Sequence, residues 1–333
     1  MSFRFWVVLL VLLFVVGTLG SGCGGPAFLI GVGGEKRLEE TEIERDEGLF
    51  VFDKIAVIDV DGLMINRQKS GLLRQGDNPV SLFVEKLDKA SKDRYVKAVV
   101  LRLNSPGGTV GAADMMYHKL QEFKEKSGKP VVACFLDVAA SGAYYLACGC
   151  DGIVAQPSTV TGSIGTIVQT ISFAGTMEKL GIKAVAIKSG ELKDLASPLH
   201  DLSEEERQVL QGIVTQFYEQ FLEVVDEGRD ELTGQKLLEV ADGRVFTAQK
   251  ALEEGLIDRV GYPSDGIAWA KEMAGLTKAR VVIYRRPVGY KPNIYGSEAS
   301  SDGGLGALIN VELPGSLTSH GVEFLYLWQP GLE

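Results

Sequence analysis

Val-Val-Ala-Cys-Phe-Leu-Asp-Val-Ala-Ala-Ser-Gly-Ala-Tyr-Tyr-Leu-Ala, residues 131–147, is the stretch that decides the fold. Its first part is an apolar run of strand length, and a turn of small residues then presents Ser141 ahead of a second apolar run. Since the second run predicts a helix, we expect the Ser141 hydroxyl at the positive end of a helix dipole. The hypothesis is therefore a nucleophile at a strand-to-helix turn.

Apolar runs of strand length alternate with apolar residues at helical spacing on both sides of this stretch. Further strands are predicted over residues 54–60, 96–103, 152–155 and 182–188. Helices are predicted over residues 80–90, 110–126, 235–240, 248–254 and 266–274. This alternation is typical of an α/β fold with a largely parallel sheet and helices on its faces.

A long amphipathic helix is predicted in the second half of the chain. Residues 203–206 read Ser-Glu-Glu-Glu, a capping box that begins a helix. The apolar residues that recur behind it at helical spacing are Val209, Ile213, Phe217, Phe221 and Val224. We interpret this stripe as core or subunit interface. Residues 322–328 read Val-Glu-Phe-Leu-Tyr-Leu-Trp, and we expect them to add a terminal strand or to mediate association.

The N-terminus carries a targeting segment, because residues 5–19 are apolar and uncharged and only Arg4 is charged before them. That length suits a membrane span, and the acidic residues that follow predict that the body lies outside the cytoplasm. A single N-terminal anchor is the first interpretation, and a lipoprotein signal ending at Cys23 or a fully cleaved signal are alternatives. The predicted organisation is an N-terminal segment at 1–24, a linker at 25–53, a catalytic domain at 54–275 and a C-terminal extension at 276–333.

Composition narrows the classes of function. The 333 residues are 45% hydrophobic and 23% charged, which is enough to bury a sizeable core. The net charge of −10 argues against a nucleic-acid partner, which would need a basic face. The spacings of the four cysteines match neither a zinc site nor a disulfide framework, so we predict no metal and no cofactor. Cys134, Cys148 and Cys150 are interpreted as small buried side chains, with one disulfide among them as the alternative.

A serine hydroxyl needs a base within hydrogen-bond reach to act as a nucleophile. His118 falls inside a predicted helix and His200 in a polar segment, so a histidine triad is a weak interpretation. A lysine can act as the base when it is neutral, which requires burial away from opposite charges. Lys193 follows a predicted buried strand among apolar neighbours and is the best candidate, provided that the Asp194 carboxylate points away from it. An exposed loop lysine is the alternative interpretation.

Backbone amides for a developing oxyanion are expected where glycine lets the substrate approach the chain. Residues 104–108 read Asn-Ser-Pro-Gly-Gly after the second strand, and Gly142 follows the serine. Gly107, Gly108 and Gly142 are therefore candidate donors, although the same glycines could simply make tight turns. Ser163, within Thr-Gly-Ser-Ile-Gly at 161–165, is a candidate to hold the lysine amine, or else caps a turn.

With these residues assembled, the chain resembles the signal peptide peptidase A family of serine-lysine peptidases, within the Clp protease and crotonase superfold. The resemblance covers residues 55–260, and one serine motif points to the family's short form. It departs from the family at Ala143, where a second glycine is frequent. The motifs that carry it are residues 104–108, Ala-Ser-Gly-Ala-Tyr-Tyr at 140–145, residues 161–165, Lys-Asp and Ser-Pro within 193–198, and Ala-Asp-Gly-Arg-Val-Phe at 241–246.

The resemblance implies a role for each candidate residue. Ser141 would be the nucleophile and Lys193 the general base, Gly108 and Gly142 would donate to the oxyanion, and Ser163 would orient the lysine. It also implies a fold of repeated ββα and βα units, and a homo-oligomer whose neighbouring subunits complete the active sites. The implied location is the bacterial cytoplasmic membrane, with the catalytic domain outside the cytoplasm. The expected substrates are peptides, namely remnant signal peptides and also misfolded membrane proteins.

Two other functions stay open on the sequence. A crotonase-type enzyme acting on a coenzyme A thioester would share the fold and the oxyanion loops, but it would not need Lys193. A catalytically inactive membrane scaffold would keep the leader and need no nucleophile. For the peptidase, we expect activity to rise with pH through the neutral range as Lys193 loses its proton.

Overall fold

A computed structural model describes residues 38–48, 50–67, 77–286 and 323–328 of the chain. Their strands are β1 (Glu39–Arg45), β2 (Lys54–Asp61), β3 (Val96–Ser105), β4 (Gly107–Thr109), β5 (Val131–Ala140), β6 (Gly152–Ala155), β7 (Val160–Gly162), β8 (Ile167–Val168), β9 (Val245–Thr247), β10 (Arg259–Val260), β11 (Arg280–Arg285) and β12 (Phe324–Leu327). Their helices are α1 (Pro79–Lys92), α2 (Val110–Ser127), α3 (Gly142–Ala147), α4 (Ala174–Lys179), α5 (Glu204–Gly228), α6 (Gly234–Val240), α7 (Ala248–Glu253) and α8 (Pro263–Met273), with a 3₁₀ turn at Glu191–Asp194.

The main sheet is mixed and largely parallel. Its strands lie in the order β1-β11-β2-β3-β5-β6-β10, and β7 pairs with the end of β5 and with β9. All neighbours from β11 to β10 are parallel, whereas β1 and β9 pair antiparallel to β11 and β7. The predicted α/β fold with a largely parallel sheet is confirmed. A smaller sheet joins β12 to β4 on one side and β8 on the other.

The sheet has an apolar core on each face because successive residues of a strand point to opposite sides. Val99 and Leu101 of β3 belong to the larger core, which also includes buried residues of α1 and α2. Val100 and Val132 face the other way and pack in a second core with Ile267 of α8. Burial on both faces is what makes these strands continuous apolar runs, and it explains why the sequence reveals them.

Two strands extend the main sheet beyond the catalytic domain expected from the sequence. β1 lies in the stretch expected to be a linker, and β11 lies in the expected C-terminal extension. β11 pairs parallel to β2, with Arg280 opposite Lys54, and β1 covers the outer edge of β11. Chain on both sides of the expected boundaries therefore contributes to the main sheet.

The strand predicted over residues 182–188 is wrong. These residues form no regular structure and pair with no strand of the described residues. Ile182, Val185 and Ile187 are exposed, and Ile187 fully so. Their apolar spacing resembles that of a buried strand, but they are not paired with any strand that the structure describes. The helix predicted behind residues 203–206 is confirmed, because Ser203 and Glu206 form the reciprocal bonds of a capping box at the start of α5.

The membrane anchor expected over residues 1–24 lies outside the described residues, as does Cys23. Among the helices of the described part of the chain, none is long and apolar enough to span a bilayer. Cys134, Cys148 and Cys150 are free thiols, and the interpretation as small buried side chains is confirmed for Cys134 and Cys148, whereas Cys150 is only partly buried. Burial raises the pKa of Cys134 and of Cys148 to about 12.

Candidate active site

Ser141 lies between β5 and α3 in a backbone conformation that residues with side chains rarely adopt. Its φ is 53° and its ψ is −117°. Two hydrogen bonds hold the turn, since the Ser141 amide donates to the Gly162 carbonyl at 2.8 Å and the Tyr145 amide donates to the Ser141 carbonyl at 2.9 Å. A strained strand-to-helix turn that presents a serine is typical of hydrolase nucleophiles.

The Ser141 hydroxyl is buried and has no hydrogen-bond partner among the described residues. A buried hydroxyl without a partner costs about 1–3 kcal/mol relative to one that is satisfied. Strain in the backbone and an unbonded hydroxyl at the same residue indicate that it is held for a group from outside the described chain. A base or a substrate carbonyl would be such a group.

The backbone of β4 approaches the start of α3 so closely that side chains would not fit. A Cβ on Gly107 would lie 2.7 Å from the Gly142 nitrogen, and φ at Gly107 is +100°. A Cβ on Gly142 would lie 3.3 Å from the Gly107 Cα. Glycine is therefore required here by contact between backbones, and the candidate oxyanion glycines do lie beside Ser141 in space.

The direction of the Gly108 amide follows from its neighbours. Met64 donates to the Gly107 carbonyl and Thr109 donates to the Met64 carbonyl, each at 2.9 Å. Since successive amides of a strand point to opposite sides, the Gly108 N–H points away from Met64 and toward β12. A Cβ on Gly108 would collide with the Met64 carbonyl.

Ser163 lies beside the Ser141 turn because β5 and β7 are parallel neighbours. Ala140 pairs with Gly162, so Ser141 and Ser163 each follow the last residue of adjacent strands. Ser163 is buried, has a φ of 52° and donates its amide to the Arg244 carbonyl at 2.7 Å. It lines a cavity of about 520 Å³. The fold therefore gathers the serines and the candidate oxyanion glycines at one edge.

Lys193 does not join this group within the described chain. It lies on the 3₁₀ turn and is exposed, and the described residues offer its amine no hydrogen bond or ion pair. The burial expected for Lys193 is not found in the single chain, because the strand expected before it does not form. The Asp194 carboxylate accepts from Lys188 Nζ at 2.6 Å, so it is already engaged by another lysine. We call residues 169–200, which are largely exposed, the Lys193 arm.

His200 ties the Lys193 arm to the start of α5. Its Nδ1 lies 3.0 Å from the Asp201 carbonyl oxygen and its Nε2 lies 3.2 Å from the Asp194 carbonyl oxygen. The Glu206 carboxylate lies 3.8 Å from Nε2. Since carbonyl oxygens only accept, both contacts favour the protonated ring, and the hydrogen bond to Asp201 is the first cause that raises the pKa of His200.

Asp194, His200 and Glu206 each offer a ligand atom within 4.8 Å of the others, a grouping that could hold a metal ion. Both carboxylates are already engaged, since Lys188 donates to Asp194 and the Ser203 amide donates to Glu206. The cluster therefore acts in this chain as a set of ion pairs and hydrogen bonds at the base of the Lys193 arm.

β12 fills a groove between β4 and β8 and runs antiparallel to both. Leu325 pairs with Thr109 and with Ile167, and Tyr326 pairs with Gly108. The sequence predicts a terminal strand here, but it does not indicate that this strand lies against the candidate oxyanion glycines. β4 has three residues and β8 has two, so neither strand is long enough to be recognised from its sequence pattern.

Comparisons with known proteins agree with this architecture. Residues 123–277 match the family model described as peptidase family S49. A putative signal peptide peptidase SppA of Enterococcus faecium is 36% identical over 255 residues, which are 76% of this chain and 74% of that protein. A putative protease of Synechocystis is 39% identical, over 69% of this chain and 78% of its own length. A putative protease of Methanocaldococcus jannaschii is 35% identical, over 65% and 69% respectively. The chain therefore belongs to peptidase family S49, the signal peptide peptidase SppA family of serine proteases.

Proposed function

We propose that this protein is a membrane-associated serine endopeptidase in which Ser141 is the nucleophile and Lys193 the general base. The observation that carries the proposal is the Ser141 turn, which combines a φ of 53° with a buried, unbonded hydroxyl next to glycine backbone. A structural serine would gain about 1 kcal/mol from a hydrogen bond that this one lacks. Membership in a serine protease family adds independent support.

The chemistry follows from these roles. As the Ser141 oxygen attacks the peptide carbonyl, the Lys193 amine takes the hydroxyl proton. The negative charge that develops on the carbonyl oxygen is bound by the amides of Gly108 in β4 and of Gly142 at the start of α3, which the fold fixes in advance. The lysine returns the proton to the leaving amine, and water then hydrolyses the acyl-enzyme by the same route. Ser163 would hold the lysine amine in line with Ser141.

Lys193 reaches the nucleophile, in this proposal, from a second copy of the chain. The lysine is exposed and the hydroxyl that it should serve has no partner within the described chain. The cavity beside Ser163 is large enough, at about 520 Å³, to receive a side chain from outside. An active site shared between subunits would give both the Lys193 amine and the Ser141 hydroxyl a hydrogen-bond partner.

The surface of the Lys193 arm supports this assembly. Apolar side chains exposed on one segment of this size are costly in water and favour an interface. The large apolar side chains exposed there are Ile171, Phe173, Leu180, Ile182, Val185, Ile187 and Leu199. A second copy that covers them would also remove water from Lys193, which a lysine needs in order to act as a neutral base.

The proposed substrates are extended peptides from the membrane, namely remnant signal peptides and misfolded membrane proteins. Location at the cytoplasmic membrane with the catalytic domain outside the cytoplasm belongs to the same proposal. The relative from Enterococcus faecium, which carries the name signal peptide peptidase, supports the substrate class. The apolar run at residues 5–19 supports the membrane location.

A mixing experiment tests the shared site directly. Full-length Ser141→Ala and Lys193→Ala proteins are each expected to be inactive on casein. If they are dissociated, mixed in equal amounts and reassembled, about a quarter of the subunit interfaces should pair an intact serine with an intact lysine. Activity should return to about that fraction of the wild type.

The controls separate the alternatives. Each variant reassembled alone should stay inactive. A mixture without activity would contradict a site shared between subunits, and activity in Lys193→Ala alone would contradict the lysine base. A wild-type protein that neither cleaves casein nor reacts with a serine-directed fluorophosphonate would favour the inactive scaffold.

A further inference from the structure

Ser105 is a buried polar side chain that the proposed mechanism does not use. It is the last residue of β3, is completely buried, and pairs with Ala139 of β5, two residues before Ser141. Gly107, the first residue of β4, lies two residues after it. Ser105 therefore lies where the strand that leads to Ser141 meets the strand that carries the proposed oxyanion amide of Gly108.

The Ser105 hydroxyl makes one hydrogen bond as an acceptor and one as a donor. The Gly107 amide donates to its Oγ at 3.1 Å, and this Oγ donates to the Gly62 carbonyl at 2.6 Å. The Gly62 amide in turn donates to the Asn104 carbonyl at 2.9 Å. The hydroxyl thus ties the first residue of β4 to the turn that follows β2, and that turn is itself bonded to the end of β3.

The bond between Ser105 and the Gly107 amide restrains a backbone that is otherwise free to rotate. Gly107 has no Cβ and a φ of +100°, so no side chain of its own limits its conformation. Its carbonyl accepts from the Met64 amide at 2.9 Å, and its amide is held by Ser105. In a trans peptide the carbonyl oxygen and the following N–H point in opposite directions. Holding Gly107 at both its amide and its carbonyl therefore sets the direction of the Gly108 N–H.

We propose that Ser105 is a positioning residue for the oxyanion site, whose hydroxyl keeps the Gly108 N–H pointing toward the carbonyl oxygen on which negative charge develops. The inference rests on the proposed function. Ser105 does not touch the substrate in this proposal, since it acts through the backbone of Gly107. Such a contact favours the reaction because a donor that is fixed before the charge forms needs no reorganisation during the reaction.

Ser105→Ala removes both hydrogen bonds and releases the Gly107 amide. We expect kcat to fall about 30-fold, less than for the loss of a whole oxyanion donor, because the Gly108 N–H is still present but is no longer held in place. KM should change by less than about twofold, since the neutral carbonyl of the bound substrate gains little from this amide. A serine that only stabilised the fold would lower the melting temperature and leave kcat of the folded protein unchanged.

A pair of peptide inhibitors, tested on the full-length protein, reports on the oxyanion site without turnover. A peptide aldehyde adds to Ser141: the serine oxygen bonds to the aldehyde carbon, the hydroxyl proton passes to Lys193, and the negatively charged oxygen occupies the oxyanion site. Its inhibition constant should rise about 30-fold in Ser105→Ala, in step with the fall in kcat/KM. The matching peptide alcohol has no carbonyl to be attacked, and it should bind the wild type and the variant equally.

Thr159→Val is the matched control for the loss of a buried hydroxyl. Thr159 is also completely buried, and its hydroxyl donates to the Leu136 carbonyl, five residues before Ser141. Losing this bond should lower the melting temperature by a few degrees, as in Ser105→Ala, while kcat stays within about twofold of the wild type.

Ser105→Cys provides a second variant in case Ser105→Ala does not fold. A thiol donates and accepts hydrogen bonds more weakly than a hydroxyl, so kcat and the affinity for the aldehyde should both fall, by a smaller factor than in Ser105→Ala. Unchanged kcat in either folded variant would overturn the inference. A fall in kcat without weaker aldehyde binding, or an equal fall in Thr159→Val, would also overturn it.

The wild type separates these outcomes from a failure of the proposed function. If the wild type cleaves no peptide and binds the aldehyde no better than the alcohol, the proposed function fails and this inference fails with it. If cleavage by the wild type depends on Ser141 while Ser105→Ala cleaves equally well, this inference alone is wrong.

Discussion

The Ser141 turn and the Lys193 arm are built in opposite ways. Ser141 is buried, and hydrogen bonds to Gly162 and Tyr145 fix its backbone between a strand and a helix. Lys193 is exposed on a segment that has little regular structure and many exposed apolar side chains. One half of the proposed chemistry is therefore fixed by the fold of the chain, and the other half depends on what covers the Lys193 arm.

The largest expected effect comes from removing the Ser141 hydroxyl. Ser141→Ala should lower kcat for peptide hydrolysis by at least about 10⁴-fold, because it removes the proposed nucleophile. Loss of reaction with a fluorophosphonate, read by mass spectrometry, checks the assignment. If Ser141→Ala kept an activity comparable to that of the wild type, the nucleophile would be another residue.

A matched variant isolates the strain at the same residue. Ser141→Gly should be as inactive as Ser141→Ala but more stable than it by about 1 kcal/mol, since glycine adopts a φ of 53° without steric cost. Thermal denaturation of the two variants measures this difference. If Ser141→Ala proved the more stable of the two, the turn would not be strained.

The contrast between the Ser141 turn and the Lys193 arm also explains which features can and cannot be predicted from the sequence. Ser141, Gly107 and Gly142 come together because apolar runs form adjacent parallel strands, and such strands are the strongest signal in the sequence. Their clustering follows from local pattern and strand order. The turn at Ser141 was predicted for this reason.

Features that depend on distant contacts were not predicted. β1 reads Glu-Glu-Thr-Glu-Ile-Glu-Arg and looks like a charged linker, because an edge strand exposes most of its side chains. The stretch at 182–188 shows the reverse error, since Ile182 and Ile187 are apolar but unpaired and exposed. In both cases the pattern reflects what lies beside the segment in space, which local sequence does not contain.

Loss of the lysine should have the next largest effect. Lys193→Ala is expected to lower kcat by about 10³-fold and to leave the melting temperature of the dissociated chain unchanged, because its side chain makes no ion pair or hydrogen bond with the described residues. Lys183→Ala, an exposed lysine of the same arm, is the control and should keep full activity. Equal activities of the two variants would show that the arm does not supply the base.

Crowding of the oxyanion site should have a smaller effect. Gly108→Ala introduces a Cβ that meets the Met64 carbonyl, so β4 must shift and kcat should fall by about 10–100-fold. Gly111→Ala is the control, because a Cβ there meets nothing within 4 Å and lies in α2, where alanine should stabilise by about 0.5 kcal/mol. Unchanged kcat in Gly108→Ala would remove Gly108 from the oxyanion site.

The smallest expected effect concerns the tie between the Lys193 arm and α5. The pKa of His200 is raised above 6.5, first by the Asp201 carbonyl and further by the Asp194 carbonyl and the facing carboxylates of Glu206 and Asp194, while partial burial opposes the shift. A raised pKa in the folded state means that the stabilisation is complete below the unfolded value and is lost as pH rises through the folded value. His200→Gln should therefore lower the melting temperature slightly in mildly acidic buffer, and the gap to the wild type should close as the pH rises into the alkaline range. If the difference in melting temperature between the wild type and His200→Gln widened as the pH rose, the neutral imidazole would be the form that stabilises the contact between the Lys193 arm and α5.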